Sequence, residues 1–156
     1  MKYILGLAAT LVISLSSFAQ SFTIEGNEVI FNKKISFKTG TTEFTPESTE
    51  ALNLVKNYLE SKAFITLFRI EGHCANEGAN NQELSEKRAV AVGNWLIDNG
   101  IDCKRLIMVG FGKMKPVTAD ADDNTRIVFA NAELRGRAIG GMPADGGGKL
   151  AVKPCE

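Results

Sequence analysis

The chain has 156 residues, of which 44% are hydrophobic and 23% are charged, and it carries 18 basic and 18 acidic side chains. This length and composition predict a single globular domain and exclude a disordered chain. The formal net charge of zero argues against a nucleic-acid-binding protein, because such proteins present a basic surface to phosphates.

The amino terminus has the layout of a secretory signal peptide. Lys2 supplies a positive charge, residues 4–13 are mostly apolar, and residues 17–19 (Ser-Phe-Ala) form a small-x-small cleavage site. We predict that residues 1–19 are removed on export, which leaves 17 basic against 18 acidic residues. A membrane anchor is the alternative, but the apolar run is short for a span, and no Cys follows the cleavage site to carry a lipid. No later segment is long and apolar enough to cross a bilayer, so no membrane span is expected in the mature chain.

The first half of the mature chain predicts strands followed by a helix. Residues 20–33 form a lead-in of one or two short strands, and Ile35 and Phe37 alternate within a half-buried strand over residues 34–38. Thr45-Pro46 is a typical helix start, with Thr as the N-cap and Pro at the first helical position. The helix that follows carries one apolar stripe: Ala51, Leu52, Val55, Tyr58 and Leu59.

The second half repeats the alternation. Residues 63–71 form a nearly continuous apolar run, typical of a central strand, and residues 72–80 form a polar loop. A second helix runs from about Asn81, as its N-cap, to Asn99-Gly100. Its predicted inward face consists of Leu84, Ala89, Val92, Trp95 and Leu96. Further strands are predicted over residues 105–109 and 126–129.

The order strand, helix, strand, helix, strand, strand predicts an α+β fold. Strand–helix–strand crossovers require parallel pairs, whereas the last strand can pair antiparallel. We therefore expect a two-layer α/β sandwich (βαβαβ-β) with a mixed sheet and both helices on one face. The domain is expected to span residues 34–131, followed by a Gly-rich flexible tail over residues 132–156.

Motifs spread over roughly residues 35–131 resemble the OmpA-like (OmpA/MotB C-terminal) peptidoglycan-binding domain family. That family carries Gly-His-Thr-Asp, a Gly, and Asn-x-x-Leu-Ser-x-x-Arg-Ala. It also carries a later Gly-Tyr-Gly and Asn-Arg-Arg-Val-Glu-Phe. The matching segments here are Gly72-His73, Gly78, residues 81–89, residues 110–112 and residues 124–129. Together these motifs are specific, whereas a lone Gly-x-Gly is weak.

The resemblance implies a non-catalytic protein of the periplasm or cell envelope. It would bind the diaminopimelate residue of the peptidoglycan stem peptide without a covalent bond. In this family an Asp accepts from the ligand ammonium and an Arg holds its carboxylate. On the matching positions, Arg88 would hold the carboxylate, Asn81 and Arg126 would support it, and Gly72, His73 and Gly78 would shape the loop. An outer-membrane or periplasmic protein is a further expected partner.

The chain departs from the family pattern at the expected ammonium site. The Thr-Asp pair is replaced by Cys74-Ala75, and the loop before Asn81 is two residues shorter. Ala75 cannot accept a hydrogen bond, and losing a charge-assisted bond costs about 1.5–3 kcal/mol, or roughly tenfold to a hundredfold in affinity. Either Glu77 replaces the Asp, or the site binds weakly or takes another carboxylate. A protein-interaction scaffold with a degenerate site is the competing function.

Two other chemistries are disfavoured. The adjacent pair His73 and Cys74 could belong to a thiol enzyme or a metal site, but neighbouring residues at a strand end point to opposite sides, and the chain has no second His. We therefore expect neither catalysis nor a metal or other cofactor, and His73 is expected to bond loop backbone. The three cysteines allow one internal disulfide, for which we favour Cys103 with Cys155.

Overall fold

A mixed β-sheet with two helices on one face forms the structure, a computed structural model that describes residues 21–75, 77, 80–119, 124–140, 147–151 and 155. A short 3₁₀ turn at Cys103–Arg105 precedes the strand that begins at Leu106. The helices are α1 (Ser48–Ser61) and α2 (Asn81–Asp98), and the strands are β1 (Phe22–Glu25), β2 (Glu28–Phe31), β3 (Ile65–His73), β4 (Leu106–Gly112), β5 (Arg126–Leu134), β6 (Arg137–Ala138) and β7 (Lys149–Leu150).

The strand order in the sheet is β1-β2-β5-β3-β4-β7, with β6 paired to β5. Strands β3 and β4 are parallel and are connected by α2, whereas the other pairings are antiparallel. Strand β5 lies between β2 and β3 and is antiparallel to both, so β2 and β3 also run in the same direction. The predicted α+β class with a mixed sheet is confirmed.

The hydrophobic core lies between the helices and one face of the sheet. The predicted stripe of α1 is buried along its whole length, which confirms the helical periodicity. Tyr58 of this helix meets an aromatic group on the sheet, in which the Phe68 and Phe129 rings stack with centroids 5.6 Å apart. Phe31 packs edge-on against both Tyr58 and Phe129. These contacts join β2, β5 and β3 to α1.

Helix α2 approaches the sheet closely at two glycines. A Cβ atom on Gly72 of β3 would lie 2.0 Å from the backbone oxygen of Ser85, and one on Gly110 of β4 would lie 2.7 Å from the backbone nitrogen of Glu86. Neither contact can be relieved by rotating a side chain. Both positions therefore require glycine, and the first turns of α2 are held against the ends of β3 and β4.

The prediction of a strand over residues 34–38 is wrong. This segment forms only a single bridge, between Phe37 and Phe44. The backbone N–H of Ser36 donates to Ser48 Oγ at 2.8 Å, and Ser48 Oγ donates back to the carbonyl of Ser36 at 2.8 Å. The remaining bonds come from the residues just before α1, because the N–H of Lys38 donates to the carbonyl of Glu43 and the N–H of Thr45 donates to the carbonyl of Ser36. Ile35 and Phe37 both pack against the hydrophobic core.

The carboxyl-terminal segment contributes to the sheet. Strand β5 continues to Leu134, beyond the predicted end of the domain at residue 131, and Leu150 of β7 pairs with Val109 of β4. The preferred disulfide, Cys103 with Cys155, is present and ties the end of the chain to the turn before β4. The segment predicted as a loose tail is therefore partly ordered.

The predicted signal peptide, residues 1–19, lies outside the described residues. Among the helices that the structure describes, none combines the length and the apolar character that crossing a membrane requires.

Candidate functional site

A polar cavity of about 290 Å³ opens where β3 and β5 meet the loop that leads into α2. Its walls come from five parts of the chain: the segment before α1, the end of β3, the loop after it, helix α2, and the start of β5. Its lining residues are Ile35, Ser36, Phe37, Thr39, His73, Glu77, Arg88, Thr125 and Arg126. Two guanidinium groups and one carboxylate therefore face the same small volume.

Arg88 reaches this cavity from α2, and its side chain is only 2% exposed. Its Nη1 and Nη2 donate to the two carboxylate oxygens of Glu77, both at 2.7 Å. Its Nε donates to the carbonyl of Thr41 at 2.9 Å, and Nη2 also donates to the carbonyl of Lys38 at 3.3 Å. The guanidinium carbon lies 4.8 Å from the centre of the Phe37 ring. Arg88 is thus a buried cation with a bidentate partner from its own chain.

Glu77 is held by more than Arg88. Its Oε2 also accepts a hydrogen bond of 2.6 Å from the backbone N–H of Gly40. The hydrogen bonds from Arg88, followed by the bond from Gly40, outweigh partial burial and hold the pKa of Glu77 below its ordinary value of 4.5. Glu77 is therefore an anion that joins the loop after β3 to the segment before α1.

Arg126, on the opposite wall, has a different environment. Its Nη1 donates to the carbonyl of Asn124 at 3.3 Å and its Nη2 donates to the carbonyl of Lys115 at 3.1 Å. No acidic side chain among the described residues forms an ion pair with it. Burial lowers its pKa, which the more distant charges of Glu28 and Glu71 partly offset, but a guanidinium remains protonated at neutral pH.

His73 is the cross-strand partner of Arg126 and is buried, with 1% of its side chain exposed. Its Nε2 lies 3.3 Å from an oxygen of Glu71, and its ring stacks on Phe111 with centroids 5.2 Å apart. Its Nδ1 has no hydrogen-bond partner among the described residues. The expectation that His73 bonds loop backbone is wrong, because its polar contact is a side chain of its own strand.

A family model for the OmpA family matches residues 36–128, and this range contains every residue of the cavity wall except Ile35. The chain belongs to the OmpA family. The recognition made from the motifs is therefore confirmed.

Two curated OmpA-family relatives come from Pseudomonas aeruginosa. The outer-membrane lipoprotein YfiB is 31% identical over 123 residues, covering 78% of this chain and 71% of YfiB. The peptidoglycan-associated lipoprotein is 28% identical over 101 residues, covering 64% of this chain but only 59% of that relative. Neither relative is named as an enzyme.

The OmpA-family fold is also seen in solved structures. The cell wall anchor of the type VI secretion system (T6SS) from Pseudomonas aeruginosa superimposes with a TM-score of 0.58 at 20% identity, covering 74% of this chain and 90% of that one. At this identity the likeness establishes the fold and no more.

The remaining residues taken from the OmpA-family motif have structural positions of their own. The prediction that Asn81 caps α2 is wrong, because the cap is Asn80, whose side chain accepts from the backbone N–H of Glu83. Asn81 is buried beneath the loop, where its Oδ1 accepts from the backbone N–H of Glu77 and from Cys74 Sγ, both at 3.1 Å. It organises the loop rather than lining the cavity.

The two glycines expected to shape the loop are Gly72 and Gly78. Gly72 lies inside β3, so its place in the structure is the contact with α2 rather than the loop. Gly78 lies outside the described residues.

Cys74 is not suited to nucleophilic chemistry here. It is fully buried, and burial raises the pKa of its thiol, so the thiolate is disfavoured at neutral pH. Among the described residues, one group has the spacing of metal ligands: Asp102, Cys103 and Cys155. The two sulfur atoms of that group are joined in the disulfide, which removes their capacity to bind a metal as thiolates.

Sequence reasoning missed two parts of the cavity wall, the Phe37 ring and Thr125, whose hydroxyl accepts from the backbone N–H of Ala75 at 3.2 Å. It also missed the backbone carbonyls of Lys38 and Thr41 that hold Arg88. Thr125 stands where the family motif has its first Arg, so its position in the motif was a usable signal. No signal in the sequence marks the carbonyl groups, since any residue supplies one.

Proposed function

We propose that this chain is a non-catalytic protein of the bacterial cell envelope that binds the stem peptide of peptidoglycan without a covalent bond. The cavity beside the Gly72-His73 motif is its binding site. The observation that carries the proposal is that two guanidinium groups face this cavity, because guanidinium is well suited to peptide carboxylates. Family membership and a relative named for its association with peptidoglycan support the same function.

The size of the cavity suits one residue of a peptide rather than a large ligand. A volume of about 290 Å³ stands at the lower limit of small-molecule sites. Binding of a single residue gives modest affinity, and a polymer with many stem peptides presents that residue at high local concentration.

Co-sedimentation with purified peptidoglycan sacculi tests the proposal. The disulfide-bonded chain is expected to pellet with intact sacculi and to remain soluble with sacculi whose stem peptides have been removed by an amidase. Soluble stem peptide should compete with the pelleted fraction. Failure to pellet with intact sacculi, or equal binding to both preparations, would contradict the proposal.

A protein-interaction scaffold is the second candidate, and one observation favours it. Glu77 occupies Arg88 with both carboxylate oxygens, so an internal group already fills the position that the resemblance assigns to the ligand. Under this alternative neither preparation of sacculi is bound, and cross-linking in the intact envelope captures one defined protein instead.

A further inference from the structure

The two arginines of the cavity differ in their remaining hydrogen-bonding capacity. Four of the five N–H donors of Arg88 are committed within the chain: one to Thr41, one to Lys38 and two to Glu77. An external carboxylate would have to displace a bidentate partner at 2.7 Å that Gly40 also holds in place. Arg88 is therefore occupied.

Within the described chain, Arg126 has N–H groups without a partner, whereas most of those of Arg88 are already bonded. Two N–H groups of Arg126 donate to the carbonyls of Asn124 and Lys115, so three of its five N–H groups have no partner among the described residues. It lines the same cavity, and no acid of the described chain pairs with it. A planar guanidinium with free N–H donors can bind one carboxylate through two parallel hydrogen bonds.

The group next to Arg126 is an acceptor. His73 has one nitrogen, Nε2, within reach of the Glu71 carboxylate, which can only accept while it is ionised. Burial alone would raise the pKa of Glu71, but the bond from His73 and the charge of Arg69, whose Nε lies 2.6 Å from Glu71, together hold that pKa below 4.5. The proton of a neutral imidazole therefore lies on Nε2, and Nδ1 carries a lone pair.

That lone pair is buried and unused. The His73 side chain is 1% exposed, lines the cavity, and has no bond at Nδ1 among the described residues. A buried acceptor without a partner destabilises the chain, and a ligand N–H would supply the missing hydrogen bond. Because His73 and Arg126 are direct partners across β3 and β5, a single small ligand reaches both.

We infer that Arg126 binds the carboxylate of the ligand and that His73 Nδ1 accepts from an uncharged N–H beside that carboxylate. The ligand is then an N-acylated amino-acid carboxylate, such as the carboxyl-terminal residue of a peptide. The inference rests on the proposed function and deepens it. Glu77 and Arg88 are positioning residues that hold the cavity wall together.

An uncharged donor fits better than an ammonium group for an electrostatic reason. Ala75 supplies no carboxylate, and Glu77, the acid in the described lining, is already neutralised by Arg88. An ammonium placed at Nδ1 would lie beside the cation of Arg126, and the described lining of the cavity offers no unpaired carboxylate to balance it. An amide N–H is uncharged, so it is not repelled by the Arg126 cation.

Two synthetic peptides distinguish these ligands: L-Ala-γ-D-Glu-meso-diaminopimelate-D-Ala with its free side-chain amine, and the same peptide with that amine acetylated. Isothermal titration of the disulfide-bonded chain should give equal or tighter binding of the acetylated peptide. Tenfold or greater weakening on acetylation would overturn the inference while leaving the proposed function intact. If neither peptide binds, both fail.

Variants locate the contacts. Arg126→Gln should weaken binding of the acetylated peptide tenfold to a hundredfold, because it removes charge-assisted bonds. His73→Phe, which keeps the ring stack on Phe111, should weaken it about threefold to tenfold. Arg137→Gln, on the exposed strand β6, is the matched control and should bind as the wild type. Wild-type affinity in folded Arg126→Gln, checked by circular dichroism, would refute the assignment.

Discussion

The two walls of the cavity use the same side chain for opposite purposes. On the α2 wall, Arg88 is 2% exposed and bound bidentately by Glu77, so its charge is spent on holding the loop to the segment before α1. On the β5 wall, the partners of Arg126 among the described residues are two backbone carbonyls, so three of its N–H groups have no partner there. The difference shows that a motif arginine can identify a family while most of its own hydrogen bonds are made within the chain.

A substitution that separates α2 from β3 should have the largest effect on stability. Gly72→Ala places a methyl group 2.0 Å from the Ser85 carbonyl oxygen and forces α2 away from β3. We expect a loss of about 4 kcal/mol in the free energy of unfolding, or no soluble protein. Urea denaturation followed by circular dichroism measures it.

The matched control for this change is Gly93→Ala, also at the interface of α2 with the sheet. There the added methyl group meets the flexible side chain of Met108 rather than backbone, so a loss within about 1 kcal/mol is expected. Equal losses in the two variants would show that the contact at Gly72 is not what fixes α2.

Removing each guanidinium in turn compares the two walls directly. Arg88→Ala leaves Glu77 without its partner and should cost about 3 kcal/mol, as for other buried ion pairs. Arg126→Ala removes two bonds to carbonyls at the cavity rim and should cost about 1 kcal/mol or less. Thermal melts of both variants beside Arg137→Ala give the ranking, and a larger loss for Arg126→Ala would reverse the roles assigned here.

The pH dependence of stability sharpens the comparison at the level of one carboxylate. The pKa of Glu77 is lower in the folded chain than its ordinary 4.5, so the ion pair stabilises the fold above that pH. As the pH falls below 4.5, the unfolded chain takes up the proton first and the stabilisation is lost. The free energy of unfolding of the wild type should therefore exceed that of Glu77→Gln by about 2 kcal/mol at pH 7. This difference should disappear at acidic pH.

The control for the titration is Glu60→Gln, which removes an exposed i,i+4 pair with Lys56 on α1 and should change stability by less than about 0.5 kcal/mol. A gap between wild type and Glu77→Gln that stays constant from pH 7 to pH 3 would mean that Glu77 contributes through packing and not through its charge.

The sequence by itself determined the α+β class, the family and the face that α1 buries. These features depend on local periodicity and on short motifs, which neighbouring residues specify. It also favoured the disulfide between Cys103 and Cys155, because a distant Cys near the chain end had the freedom to reach its partner. The prediction of a strand over residues 34–38 failed because Ser48 of α1 and the short segment before that helix, rather than a strand, bond that backbone.

Only the tertiary structure decided which groups of the site form hydrogen bonds with each other. The partners of Arg88 lie 11, 47 and 50 residues away in the chain, and two of them are backbone carbonyls that every residue possesses. The position of His73 beside Arg126 likewise depends on β5 pairing with β3, which brings together residues that are far apart in the chain. A buried polar group takes whichever partner the folded chain brings within about 3 Å, and no local pattern encodes that distance.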